Sequence, residues 1–183
     1  MLKNWIRSLA IVLLSLGFLG TAMADKFQDI ITKGVIRIGV PPDVPPFGSQ
    51  NVNREAEGFD VDMANMVAKA LGVKLEITQI TGANRLPFLL TDKVDLVISV
   101  MGATPERAKQ IMFTAPYANT SLAVYGPKSI TVKSAAELGS FRVAAAKGTT
   151  QELALSTANP RANIMRTEDD ATAAAAYLSG QAQ

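Results

Sequence analysis

Hydrophobic positions along this chain alternate between two spacings, and the alternation predicts its elements. Val35–Val40 (VIRIGV) is a short β-branched run bounded by Gly34 and Pro41-Pro42, which predicts a strand. From Asp60 to Gly72 (DVDMANMVAKALG), Met63, Met66, Val67, Ala70 and Leu71 recur near helical spacing and Gly72 supplies a stop. Asp60 and Asp62 sit at the start of that helix, where carboxylates suit the positive end of the dipole and a capping role is expected. KLEITQI alternates as a strand does, NRLPFLLTDK carries Pro87 in the first turn of a short helix, and VDLVISV is nearly all apolar, as a strand buried on both faces would be. Further on, Ser121–Tyr125 reads as a strand and Ser134 to Glu137 as a capping box. RVAAA and ANIMRT are strands, TTQELAL opens a helix, and DDATAAAAYLSG is an alanine-rich helix with an acidic first turn and a glycine stop.

Strands separated by helices imply βαβ units and a mostly parallel sheet. Gly126-Pro127, between one strand and a new capping box, marks an expected lobe boundary. The pattern ends just after a helix stop, where an α/β alternation would next supply a strand. A fragment is therefore expected, with a small domain ending on a helix as the alternative.

Residues 1–24 change the picture first. Lys3 and Arg7 precede an apolar run from Leu9 to Leu19, and small residues end at Ala22-Met23-Ala24. That is a basic region, an apolar stretch shorter than a bilayer span and a small-residue cleavage site, so a signal peptide cleaved after Ala24 is expected. The signal holds two of the 18 Lys and Arg and none of the 16 Asp and Glu, so the mature chain is electrically balanced. No basic excess remains to point to nucleic acid. Cysteine and histidine are both absent. Their absence removes thiolate and imidazole zinc sites, Cys–His and Ser–His–Asp catalysis, a disulfide framework and a lipid-modified cysteine. No metal, cofactor or catalytic residue is expected. A freely soluble periplasmic protein without a membrane anchor after cleavage is.

Met101–Gln110 (MGATPERAKQ) is the stretch that carries chemistry. Thr104 stands at an N-cap and Pro105 at the first helical position, yet Arg107 places a cation in the first turn, where the dipole disfavours it. A guanidinium beside unpaired N–H groups suits a carboxylate. In open α/β sheets ligands sit beyond the carboxyl ends of strands. Pro41–Gly48, Gly102–Arg107 and Lys147–Gln151 all fall at such ends. They offer Thr104, Thr149 and Thr150 hydroxyls, backbone donors and Arg107, while Phe47 is placed either to stack on a ligand or to plug the core.

Taken together these segments resemble a known family. Gly58–Leu71 (GFDVDMANMVAKAL), IRIGV followed by PPF, DLVISVMGATPERAKQIMFTAPY and RVAAAKGTTQE are similar, in order, to the bacterial extracellular solute-binding proteins, family 3, the amino-acid receptors of ABC transporters. The resemblance runs from about Ile36 to the end. It implies an α/β, two-lobed periplasmic binding protein type II fold with mostly parallel sheets, closing over an amino acid. Residues 25–124 would form most of lobe one and 125–183 part of lobe two, the second lobe and the return crossover being incomplete. Arg107 would grip the ligand α-carboxylate, with Ser99, Gly102 and Thr104 beside it and Gly148, Thr149 and Thr150 meeting it from the other lobe. Val44 stands where many members carry an aromatic. Asn84-Arg85-Leu86-Pro87 resembles the N-R-I/L-P segment of the glutamate/aspartate receptors, which would make Arg85 a second carboxylate anchor. The resemblance implies an inner-membrane ABC permease as partner. A periplasmic cyclohexadienyl dehydratase-like enzyme and the sensing domain of a receptor kinase are the alternatives.

Overall fold

The computed structural model describes residues 25–183, so the expected signal peptide lies outside the described residues. The described chain opens with a helix the spacing did not predict, α1 (Lys26–Lys33), capped by Asp25, whose side chain accepts from the Phe27 amide, and closed by Gly34 at φ 67°. Then follow β1 (Val35–Val40), a hairpin of β2 (Ser49–Gln50) and β3 (Ala56–Glu57), α2 (Phe59–Leu71), β4 (Lys74–Gln79), α3 (Arg85–Leu90), β5 (Leu96–Val97) and α4 (Pro105–Ala108). A 3₁₀ turn (Glu137–Ser140), β6 (Arg142–Ala146), α5 (Thr150–Ala158), β7 (Asn163–Thr167) and α6 (Asp170–Leu178) complete the order.

The architecture is α/β with mostly parallel sheets, as expected. β1 lies between β4 and β5, parallel to both, with Ile38 opposite Ile77 on one side and Leu96 on the other. A separate parallel pair joins β6 to β7, Ala144 opposite Met165. The core is built on β1 because a central strand is covered on both faces. Ile36, Ile38 and Val40 are buried there against Val61, Ala64 and Ala68 of α2, with Ile98 closing the cluster. Arg37, on the same strand, pairs twice with Asp95 (2.6 and 3.0 Å), a bidentate tie from β1 to the entry of β5.

Two expected strands are corrected. The apolar run Val94–Val100 yields only the two residues of β5: Ile98 still donates to Gly39, but the Ser99 carbonyl then takes the Met101 amide in a tight turn that ends the ladder. Ser121–Tyr125 forms no strand. Strand propensity needs a neighbour to pair with, and Leu122, Val124 and Tyr125 lie 52%, 59% and 84% exposed with no ladder partner among the described residues. The expected capping box at Ser134 does not form: Glu137 accepts from the Lys133 amide and the Ser134 hydroxyl, its own amide goes to the Ser134 carbonyl, and the segment makes only a 3₁₀ turn whose N-cap, Ala136, has no side-chain cap bond. No helix of the described residues is long and apolar enough to cross a membrane.

Truncating the central strand should be the costliest apolar change in the first sheet. Ile38→Ala should lose about 2–5 kcal/mol in urea unfolding. Val52→Ala, at a fully exposed side chain, should stay within about 0.5 kcal/mol.

Candidate functional site

Beyond the carboxyl end of β5 the chain turns sharply, and three carbonyls of that turn each accept from a side chain. Ser99 accepts from the Tyr117 hydroxyl at 3.1 Å, Val100 from Arg85 at 3.0 Å and Gly102 from Arg107 at 2.6 Å. With its carbonyls turned onto these groups, the turn leaves the Gly102 and Ala103 amides without an acceptor among the described residues. Thr104 then caps α4, its hydroxyl oxygen accepting from the Arg107 amide at 3.3 Å with Pro105 at the first helical position.

Both guanidiniums reach on to a single atom of the other sheet's loop. Arg107 donates to the Gly148 carbonyl at 2.9 Å and Arg85 to the same oxygen at 3.4 Å. Gly148 sits at φ 72°, and a Cβ there would come within 2.6 Å of the Gly82 carbonyl oxygen. Gly82 in turn is pressed against Lys147 and Thr149, and a Cβ on Gly102 would meet the Thr150 methyl at 2.7 Å. Close approach of the two units is thus made by glycines on both sides, because only glycine tolerates that conformation and distance.

The electrostatics are lopsided. Arg85 is only 4% exposed and its Nε has no partner. Burial and the nearby Arg107 lower its pKa to about 10, with Asp170 opposing. Burial also lowers the pKa of Arg107. Asp170 is pushed upward by burial and by Asp43, with Arg85 opposing. Asp43 itself accepts from the Ala171 amide at 2.9 Å, at the positive end of α6, a second link between the units. A cavity of about 30 Å³, room for a water molecule but not a ligand in this closed arrangement, lies among Asp43, Val44, Arg85, Ser99, Thr149 and Asp170. Two cations thus share one uncharged carbonyl, while Asp43, Asp169 and Asp170 line the cleft beside them.

The expected residues converge unevenly. Ser99, Gly102, Thr104, Arg107, Gly148, Thr149, Thr150, Arg85 and Val44 all fall at or beside this junction. Several hydroxyls, however, are engaged internally. Thr149 is buried, donating to the Ala146 carbonyl at 2.7 Å and accepting from Glu152 at the start of α5. The Thr104 hydroxyl is taken up by its cap. Phe47 does not line the small cavity: it packs edge-on against Phe59 at 6.2 Å, and Phe59 stacks on Tyr117 at 6.0 Å. Asp60 corrects the capping expectation. Gly58 is the N-cap of α2, with no side-chain cap bond, and Asp60 is fully buried, its Oδ1 bonded to the Tyr117 hydroxyl at 2.9 Å. Nothing local in the FTAPY stretch links Tyr117 to Asp60, 57 positions away, so only the folded chain shows the pair.

A much larger cavity lies elsewhere among the described residues. About 820 Å³ opens between the Leu122–Val132 segment, β6 and the alanine-rich faces of α5 and α6. Its lining is mostly apolar, with Gln151, Asp170 and Gln183 among the polar exceptions. Small alanine side chains leave that space, and no cation there could hold a carboxylate.

Comparison with known proteins bears on this geometry. The family model of the bacterial extracellular solute-binding proteins, family 3, matches residues 36–176. The chain is 37% identical over 144 residues to ABC transporter arginine-binding protein 1 of Escherichia coli strain K12, covering 79% of this chain and 55% of that protein. It is 29% identical over 115 residues to cyclohexadienyl dehydratase of Pseudomonas aeruginosa, covering 63% of this chain and 43% of the enzyme. Its fold is similar to that of the crystal structure of a solute receptor for L-cysteine of Neisseria gonorrhoeae, at a TM-score of 0.81 and 34% identity, over 85% of this chain and 65% of the receptor. The chain spans about half the length of these curated relatives.

Gly148→Ala should separate the two units while leaving each sheet folded. The left-handed conformation alone costs a non-glycine residue about 1–2 kcal/mol, and the contact with Gly82 adds to it. A larger radius of gyration by small-angle X-ray scattering, with unchanged helical content, is the expected outcome.

Proposed function

The chain belongs to the bacterial extracellular solute-binding proteins, family 3, and from that premise we propose that it captures a polar amino acid in the periplasm for delivery to an ABC transporter permease in the inner membrane. Residues 25–124 act as the first lobe and 125–183 contribute to the second. The observation that carries the reading is the convergence of Arg107 and Arg85 on the Gly148 carbonyl. A neutral oxygen holds the place where a ligand carboxylate, fully charged, would bond more strongly to the same donors. Opening the units frees Arg107, an incoming α-carboxylate takes its guanidinium and the Gly102 and Ala103 amides, and closure brings Gly148 to Thr150 over it. Closure is then driven by contacts that only the closed state makes with the ligand.

The finer reading, an acidic amino acid such as glutamate or aspartate, rests on Arg85. In its support, the Arg85 Nε is buried without a partner and lies at the same cleft. Its terminal nitrogens are engaged by Val100 and Gly148, and Asp43 and Asp170 stand nearby, an arrangement that suits a cationic side chain instead. Of the relatives above, one is named for arginine and one for L-cysteine, and neither for an acidic amino acid. A dehydratase reading has the enzyme relative in its favour. It would need a general acid beside the bound carboxylate, and Asp170, whose carboxyl is raised by burial, is the group in place for that.

A thermal-shift screen of the twenty amino acids on the mature chain tests the proposal. A ligand at about 100 times its Kd should stabilise by about 2.7 kcal/mol. Arg107→Ala should weaken that ligand by about 10- to 150-fold, the loss of a charge-assisted hydrogen-bond pair worth about 1.5–3 kcal/mol. Stabilisation by glutamate or aspartate that is lost in Arg85→Ala upholds the acidic reading; a response to arginine alone overturns it. Silence across all twenty would sink the amino-acid reading.

A further inference from the structure

The Tyr117 hydroxyl lies 2.9 Å from Asp60 Oδ1 and 3.1 Å from the Ser99 carbonyl oxygen. A phenol has one proton, and one proton cannot serve two acceptors at full strength. If Asp60 is ionised, Tyr117 must donate to it, and the Ser99 carbonyl then faces a bare phenol oxygen. If Asp60 is the neutral acid, every bond in the chain has a proton: the carboxyl donates to the phenol, and the phenol donates to Ser99. The surroundings favour the neutral form. Asp60 is fully buried, its Oδ2 has no partner, and no cation compensates it. Charged side chains on the elements around it are Asp62 and Lys69 on α2 itself, Arg37 on β1, Lys74 and Glu76 on β4 and Glu57 on β3. None of them acts on the Asp60 carboxyl, whose pKa is raised by burial and lowered only by the Tyr117 hydrogen bond.

We propose that Asp60 is a positioning residue for the ligand-binding turn, held as the neutral acid and acting through Tyr117 on the Ser99 carbonyl. Ser99 is the root of that turn. Its carbonyl takes both the Tyr117 hydroxyl and the Met101 amide (2.6 Å), and the turn it fixes carries Gly102, Thr104 and Arg107. Tyr117 leads into the segment that runs to the second sheet, so the same phenol joins α2, the turn and the start of that connection. Ionisation of Asp60 draws the single phenol proton away from Ser99 and loosens the turn. The role in binding rests on the amino-acid reading above; the proton arrangement does not.

The test is carbon-13 NMR of the full chain from pH 4 to 8, following the Asp60 carboxyl and the Ser99 carbonyl, in wild type, Asp60→Asn and Tyr117→Phe. The asparagine amide keeps a donor to the phenol and cannot titrate. In wild type the Asp60 carboxyl should titrate above the ordinary value of about 3.9, and the Ser99 carbonyl resonance should move with it. In both variants the Ser99 resonance should stay flat. In parallel, the affinity for L-arginine, used as the probe, should fall about two- to tenfold as pH rises through the Asp60 transition, the loss expected for one hydrogen bond, and should not change over that range in Asp60→Asn. An Asp60 carboxyl titrating near 3.9, a Ser99 resonance that ignores it, or a wild-type affinity unmoved while Asp60 titrates would overturn the proposal. Failure of L-arginine to bind at any pH counts against arginine as the ligand and not against the proton arrangement, which the carbon resonances still decide.

Discussion

Two guanidiniums sharing one backbone carbonyl is the constraint on which the rest of this structure turns. Like charges repel, and the repulsion appears directly in Arg85, whose pKa is lowered to about 10 by burial and by Arg107. Something must hold them together. The Val100 and Gly102 carbonyls hold one nitrogen of each from the first unit, and Gly148 supplies the shared acceptor from the second. That acceptor reaches them only because Gly148 and Gly82 have no side chains between them. The left-handed glycine, the sharp end of β5 and the cationic pair are therefore one device.

Removing histidine and cysteine from the chain narrows what such a device can do. This sequence holds no thiolate or imidazole to join it, so what its residues offer there is charge and hydrogen bonding. The buried acids sharpen the picture. Asp43 accepts from the Ala171 amide at the start of α6 and burial raises the Asp170 carboxyl with Arg85 opposing, so the cleft sets carboxyl oxygens beside the guanidinium donors. An α-amino acid carries both charges on groups bonded to one carbon.

Much of this was legible along the chain, and the reasons differ by element. α2 is a 13-residue helix with a strong stop, and Gly72 adopts the left-handed cap its position implied. Thr104, Pro105 and Arg107 announced a helix start with a misplaced cation, and that cation does lie at the junction. What local pattern could not supply was pairing at a distance. Ser121–Tyr125 has the side chains of a strand but no neighbour, and Val94–Val100 stops early because Ser99 turns its carbonyl onto Met101 and Tyr117. Asp60 looked like a cap because it opens a helix. It is buried instead, because a tyrosine 57 residues away closes over it. Arg85 looked like a free ligand anchor, and only the folded chain places Val100 and Gly148 on its terminal nitrogens.

The most direct measurement is a crystal structure of the mature chain grown with the amino acid that stabilises it most. The account requires the ligand α-carboxylate within hydrogen-bond distance of the Arg107 guanidinium, with the Gly148 carbonyl displaced from it. A ligand bound elsewhere, in the apolar space beside α5 and α6 for instance, with Arg107 still on Gly148, would contradict it.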